Sequence, residues 1–299
     1  MNLYLTLALA AGAIATDHGS SYGGSGPYKS YYFEVESLVN HTFYQPLQSA
    51  LQDGGSDLKL PVIVWGNGAC DPWYNCCQLG LKFRNFLGEV TSWGALAIAT
   101  GPAFVDPEDY SDSSEGTGEA GMGQNPGALT EAIDWVYKNA GKGAWAHIDS
   151  SRIGVWGQSC GGLEAYSAGA HDDRVSHLGI FNSGQLSANA SVEVTKGITK
   201  PVFYILGGPS DVANKNGELD YANLPETTPK WKGNHDLGHS AAFDVPFAGI
   251  PGVAGSKILQ WVLRGDESAK SWFVSNEAKQ AGFVNVTSQH LDQVKVAPI

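Results

Sequence analysis

The chain has 299 residues, 42% of them hydrophobic and only 16% charged, and 30 Asp and Glu against 18 Lys and Arg leave a net charge of −12. That apolar content can fill a sizeable core and argues against global disorder. The acidic balance repels phosphate backbones and anionic lipid, which argues against nucleic-acid and membrane-surface partners.

Residues 1–15 form a short apolar run ending in Ala13-Ile14-Ala15, the small-x-small pattern of a cleaved signal peptide. It is shorter than the ~20 apolar residues a membrane helix needs, so no membrane span is expected. Residues 16–29, rich in Ser, Gly and Tyr, read as a loose lead-in. From residue 30 to 299 strand and helix patterns alternate, which predicts a single α/β domain with a mostly parallel sheet flanked by helices. Pro61–Trp65 and Ala95–Ala99 are apolar runs suited to buried strands. Asn125-Pro126 opens a helix whose Leu129, Ile133, Val136 and Ala140 share one face. Strands follow at Arg152–Trp156, His177–Phe181 and Pro201–Leu206. A last amphipathic helix carries Ile258, Leu259 and Val262 and is closed by Arg264-Gly265.

Directly after the Arg152–Trp156 strand stands Gly157-Gln158-Ser159-Cys160-Gly161, followed by helix-compatible residues. G-x-S-x-G between strand and helix is a nucleophile elbow, a turn too sharp for a Cβ at either glycine. Ser159 is therefore the candidate nucleophile. A serine hydroxyl needs an imidazole to take its proton and a carboxylate to orient that imidazole. Asp211 lies just past the Pro201–Leu206 strand, and His239 follows in a small-residue loop, giving the order Ser, Asp, His. His235, Asp220 and Asp236 are the alternatives for base and acid. His147, His171, His177 and His290 read as surface or loop residues. Backbone N–H groups of Cys160, after the nucleophile, and Asn67, in the Gly66-Asn67-Gly68 loop, are the expected oxyanion donors. No metal-ligand spacing occurs, so neither a metal nor another cofactor is expected.

With these motifs the chain resembles the α/β-hydrolases, closest to secreted members near the dienelactone-hydrolase, chlorophyllase and polyester-hydrolase (cutinase-like) branches. The resemblance rests on residues 61–68, 154–162, 204–211, 238–240 and 261–266, and Gln158 departs from it where related enzymes often place a histidine. It implies an α/β-hydrolase fold and a triad of Ser159, Asp211 and His239. Residues 183–200 are too few for a large cap domain, so an open cleft is expected. Such a cleft suits a small-molecule or polymeric ester substrate. The leading expectation is a secreted, extracellular serine esterase. The alternatives are a lactonase or acyltransferase with the same triad, and a catalytically silent fold used for binding. Trp65, Trp73, Tyr74 and Trp156 lie near the elbow and oxyanion loop, as an aromatic wall or as ordinary core. The acidic stretch 101–126 reads as a solvated loop without a calcium signature.

Asn40, Asn189 and Asn285 head acceptor sequons for N-glycosylation. The four cysteines are Cys70, Cys76, Cys77 and Cys160. In an oxidising compartment they suggest two disulfides, one of which joins Cys160 to Cys70, Cys76 or Cys77. Bridging the adjacent Cys76 and Cys77 would close a strained ring, and a free buried Cys160 thiol is the other reading.

Overall fold

The computed structural model describes residues 16–53, 58–68, 79–103, 126–294 and 296. The apolar segment 1–15, Cys70, Cys76, Cys77, Trp73, Tyr74 and most of the acidic stretch lie outside these residues. The chain begins with β1 (Thr16–Tyr22), β2 (Ser30–Val35) and β3 (Leu38–Pro46), followed by α1 (Gln48–Asp53) and β4 (Leu60–Gly66). Then come α2 (Arg84–Thr91), β5 (Leu96–Thr100), α3 (Pro126–Asn139), β6 (Ile148–Gln158) and α4 (Cys160–Gly169). The next elements are β7 (Val175–Phe181), α5 (Ala188–Thr195), β8 (Val202–Leu206), α6 (Asn214–Asn223) and β9 (Lys230–Asn234). α7 (Gly249–Ile258), α8 (Glu267–Val274), α9 (Glu277–Gln280) and β10 (Val284–Gln289) complete the order.

Among the described residues ten strands join one sheet in the order β1-β2-β3-β5-β4-β6-β7-β8-β9-β10. From β5 through β9 every neighbouring pair is parallel. β1 to β3 on one side and β10 on the other are antiparallel additions. The protein is thus α/β, with a mostly parallel central sheet flanked by helices.

The apolar runs of the central strands follow from burial on both faces. In β4, Leu60, Val62 and Val64 enter one core with Leu129, Ile133 and Val136 of α3, while Ile63 and Trp65 enter the other. That second core receives Phe86 of α2, Ile258 of α7 and Trp272 of α8. Alternation along a strand sends successive side chains to opposite faces, so a strand between two helix layers has no polar positions. Trp65 and Trp156 are both fully buried in this second layer, as core residues rather than a cleft wall.

Three expectations need correction. Residues 16–22 are not part of a loose lead-in: they form β1, paired to β2 through Thr16↔Glu34 and Tyr22↔Ser30. The helix carrying Ile258 is not the last one. After Leu259–Leu263 continues it as a π-helical turn and Gly265 ends it at φ 70°, α8, α9 and β10 follow. Trp272, Phe273 and Phe283 then cover Trp231 of β9, with ring centroids 5.5–5.6 Å away. Finally, His177 is no surface residue but is fully buried in β7. Its Nε2 accepts from Trp156 Nε1–H at 2.8 Å, so Nδ1 carries the proton and donates to Ser176 Oγ at 2.9 Å. Ser176 Oγ–H passes the chain on to the carbonyl of Ile153. Every polar atom of this interior chain has a partner only while the ring is neutral. Among the described residues no helix is long and apolar enough to cross a membrane.

Burial lowers the pKa of His177 to about 3 and that of His235 to about 4. Both rings protonate near their ordinary ~6.5 once the chain unfolds, so the unfolded state binds more protons as pH falls. Their neutral forms therefore add stability in full above about pH 6.5, and that contribution drains as pH falls toward 4. Urea midpoints should change little from pH 7.5 to about 6.5 and then drop toward pH 5, where unfolding takes up roughly two protons. A midpoint constant across that range would show that the two rings titrate in the folded protein as they do in the unfolded chain.

Candidate active site

β6 ends at Gln158 and α4 begins at Cys160, leaving Ser159 alone to make the turn, with φ 56° and ψ −124°. An L-residue rarely adopts this backbone, and the surrounding contacts enforce it. A Cβ on Gly157 would sit 2.1 Å from the Gly161 carbonyl oxygen, and one on Gly161 would sit 2.1 Å from that of Gly66. The ends of β4 and β6 and the first turn of α4 thus touch backbone to backbone. Ser159 N–H donates to Phe181 O at 3.0 Å, and Ser183 Oγ–H donates to Ser159 O at 2.5 Å.

Two further strand ends bring the partners. Asp211 follows β8 and His239 follows β9. Ser159 Oγ–H donates to His239 Nε2 at 2.9 Å, and His239 Nδ1–H donates to Asp211 Oδ1 at 2.5 Å. Asp211 also accepts from Ala213 N–H on Oδ1, and from Gly207 N–H and Asn182 Nδ2 on Oδ2. Burial by itself raises the Asp211 pKa. The hydrogen bond and charge of His239, with the two backbone N–H groups, outweigh it and hold the carboxyl below its usual range. The carboxylate is buried while the imidazole is about 30% exposed.

The alternatives lie elsewhere. His235 is 3% exposed, and its Nδ1 accepts from Leu237 N–H. Asp220 is fully buried under Tyr166 OH and Gln185 N–H, and Asp236 is exposed in a left-handed turn. Neither carboxylate joins the Ser159–His239–Asp211 line.

Cys160 opens α4, so its N–H belongs to the helix N-terminus, where the first turn has no intrahelical acceptor and the dipole favours negative charge. Asn67 departs from expectation. Its N–H donates to Thr100 Oγ1 at 3.3 Å, its Oδ1 accepts from Trp65 Nε1–H, and its Nδ2 donates to Thr100 O. These bonds fasten Asn67 into the seam between β4 and β5, and without a ligand its N–H contacts Thr100 Oγ1. The Cys160 sulfur lies 3.9 Å from the Asn67 carbonyl oxygen. No free cysteine occurs among the described residues.

Two further side chains reach the site, Gln158 from within the elbow motif and Asn182 from outside any motif. Gln158 Nε2 donates to His239 O at 2.8 Å, and Asn182 Nδ2 donates to Gly238 O at 2.8 Å. The position of Asn182 one residue past β7, beside the strand bearing the elbow, was the available signal. Among the described residues no group of His, Cys, Asp and Glu is placed to hold a metal ion. No family model and no curated protein matches the chain.

The Ser159 backbone should be a measurable liability. Ser159→Gly removes the Cβ that makes this φ and ψ unfavourable, whereas Ser159→Ala keeps it. Urea unfolding should find the glycine variant more stable than the alanine variant by roughly 1 kcal/mol. An alanine variant equal to or above the glycine one would show the turn to be unstrained.

Proposed function

We propose that the protein is a secreted serine hydrolase of the α/β-hydrolase fold, cleaving carboxylic esters through an acyl-enzyme. The observation that carries this is the unbroken hydrogen-bond line from Ser159 Oγ through His239 to the buried Asp211 carboxylate. Ser159 Oγ attacks the ester carbonyl carbon while its proton passes to His239 Nε2. The carbonyl electron pair moves onto oxygen, and that oxyanion lies toward Cys160 N–H and the positive end of α4. Collapse breaks the bond to the alcohol, which leaves with the proton held on Nε2. Water then attacks the acyl carbon, gives its proton to Nε2, and a second collapse frees the acid and returns the proton to Ser159. Throughout, Asp211 accepts from Nδ1–H and stabilises the imidazolium without itself being protonated.

Between β7 and β8 the chain makes only the eight-residue α5, which supports an uncapped cleft open to bulky or polymeric esters. Export is supported by the leader-like run at 1–15 and by the exposure of the sequon residues Asn40, Asn189 and Asn285, proposed here as glycan carriers. In that compartment the bridge at Cys160 would tie the elbow to the segment after the oxyanion loop through Cys70, Cys76 or Cys77. Peptide mapping without reduction should recover such a linked peptide. Recovery of Cys160 as a free thiol would remove the bridge.

A panel of nitrophenyl esters of increasing chain length tests the reading. Wild type should turn over at least one member, and Ser159→Ala and His239→Ala should each lower kcat/KM by at least about 10³-fold. A fluorophosphonate should label Ser159. His235→Ala as the inactive histidine variant would overturn the assignment of the base. Normal turnover by Ser159→Ala would overturn the mechanism.

A further inference from the structure

The loop bearing His239 has little regular structure to hold it, yet the line Ser159–His239–Asp211 demands a fixed imidazole. Two consecutive carbonyls of this loop, Gly238 O and His239 O, each accept a side-chain amide proton at 2.8 Å. The donors are Asn182 Nδ2 and Gln158 Nε2, standing at the ends of the neighbouring parallel strands β7 and β6. Both side chains are buried, at 0% and 2% exposure. We propose that Gln158 and Asn182 are positioning residues, a carboxamide clamp that registers the His239 loop on the strand ends presenting Ser159.

Asn182 does more than hold one carbonyl. The same Nδ2 donates to Asp211 Oδ2 at 3.1 Å, so one amide group touches both the carboxylate and the loop that the carboxylate orients. Its orientation is fixed by chemistry. A carboxylate and a carbonyl can only accept, so the NH₂ end must face them and Oδ1 must turn the other way. There Oδ1 lies 3.5 Å from Nε2 of His235. His235 Nδ1 accepts from Leu237 N–H, which leaves the ring proton on Nε2, and Nε2 lies 3.5 Å from both Oδ1 and Nδ2 of Asn182. The second histidine of the loop thereby acquires a role without touching Ser159. The backbone cooperates too: Asn182 adopts φ 46°, and its N–H donates to Ile205 O of β8. Asparagine tolerates this left-handed backbone better than most residues while still supplying an amide. Gly207 leaves the space, since a Cβ there would lie 2.4 Å from Asn182 Nδ2. On the other side, a Cβ on Gly68 would lie 2.0 Å from Gln158 Oε1, so Gln158 spans from the loop after β4 to the histidine loop.

This inference rests on the proposed ester chemistry for its kinetic readout but not for its spectroscopic one. Asn182→Gly keeps the left-handed backbone free of strain while deleting the amide, and Gln158→Met keeps length while deleting the donor. Each should lower kcat about tenfold with KM within about twofold, because misplacement of the base slows chemistry more than binding. The double variant should fall short of the product of the two losses, as expected of residues acting on one loop. In the proton NMR spectrum the downfield His239 Nδ1–H signal of wild type should broaden or vanish in both variants. That signal needs no substrate, so an inert wild type would sink the ester reading while leaving the clamp measurable. Lowered thermal stability with kcat and the Nδ1–H signal unchanged would overturn the clamp and leave the amides as ordinary packing. Should Asn182→Gly fail to fold, Gln158→Met and His235→Gln carry the same two readouts.

Discussion

The architecture of the site depends on three glycines that meet backbone to backbone. Gly66 at the end of β4, Gly157 in β6 and Gly161 in α4 approach so closely that a methyl group on any of them would overlap main chain. The contact lets α4 start one residue after β6 and forces Ser159 into its unfavourable backbone. It also places Cys160 N–H beside the loop after β4. The energy that holds it comes from elsewhere, from two aromatic and aliphatic cores that grip the central strands on both faces. A strained turn persists only where the surroundings over-determine it. Here the surroundings are the most buried strands in the sheet.

The division between what could be read from the sequence and what could not follows the same physics. Buried parallel strands announce themselves as runs such as Pro61–Trp65, and the elbow announces itself because steric exclusion dictates its glycines. Strands exposed on both faces carry no such signal. β10 is exposed or half-exposed along its length, and the apolar alternation of Val284–Gln289 stops after Val286, too short to mark a strand. β1, with its Gly and Ser, belongs to the sheet through backbone pairing that leaves no imprint on composition. His177 misled for a different reason: a neutral imidazole with both nitrogens satisfied is as much at home in a core as a phenyl ring, and its partner Trp156 is twenty-one positions away.

The site shows the same split. Ser159, Asp211 and His239 are legible because each follows a strand and their order is constrained by topology. The contact of the Asn67 N–H with Thr100 Oγ1 could not be read from the sequence, because position in the loop after β4 does not fix where an N–H points. Asn182 and Gln158 were invisible as a pair, since nothing in one dimension reveals that β6 and β7 end side by side.

The sheet order has a mechanical consequence. β1 and β10 are its first and last members, so the two ends of the described chain leave from opposite edges, nine interstrand spacings or roughly 43 Å apart. Tension between the ends would load both edges first, where the pairing is antiparallel and, at β10, poorly covered by side chains. β6 stands sixth of ten, and peeling must consume strands from either side before reaching it. The strand that ends in the strained serine turn therefore shares with β4 the position farthest from either edge, the last to be reached by force applied at the ends.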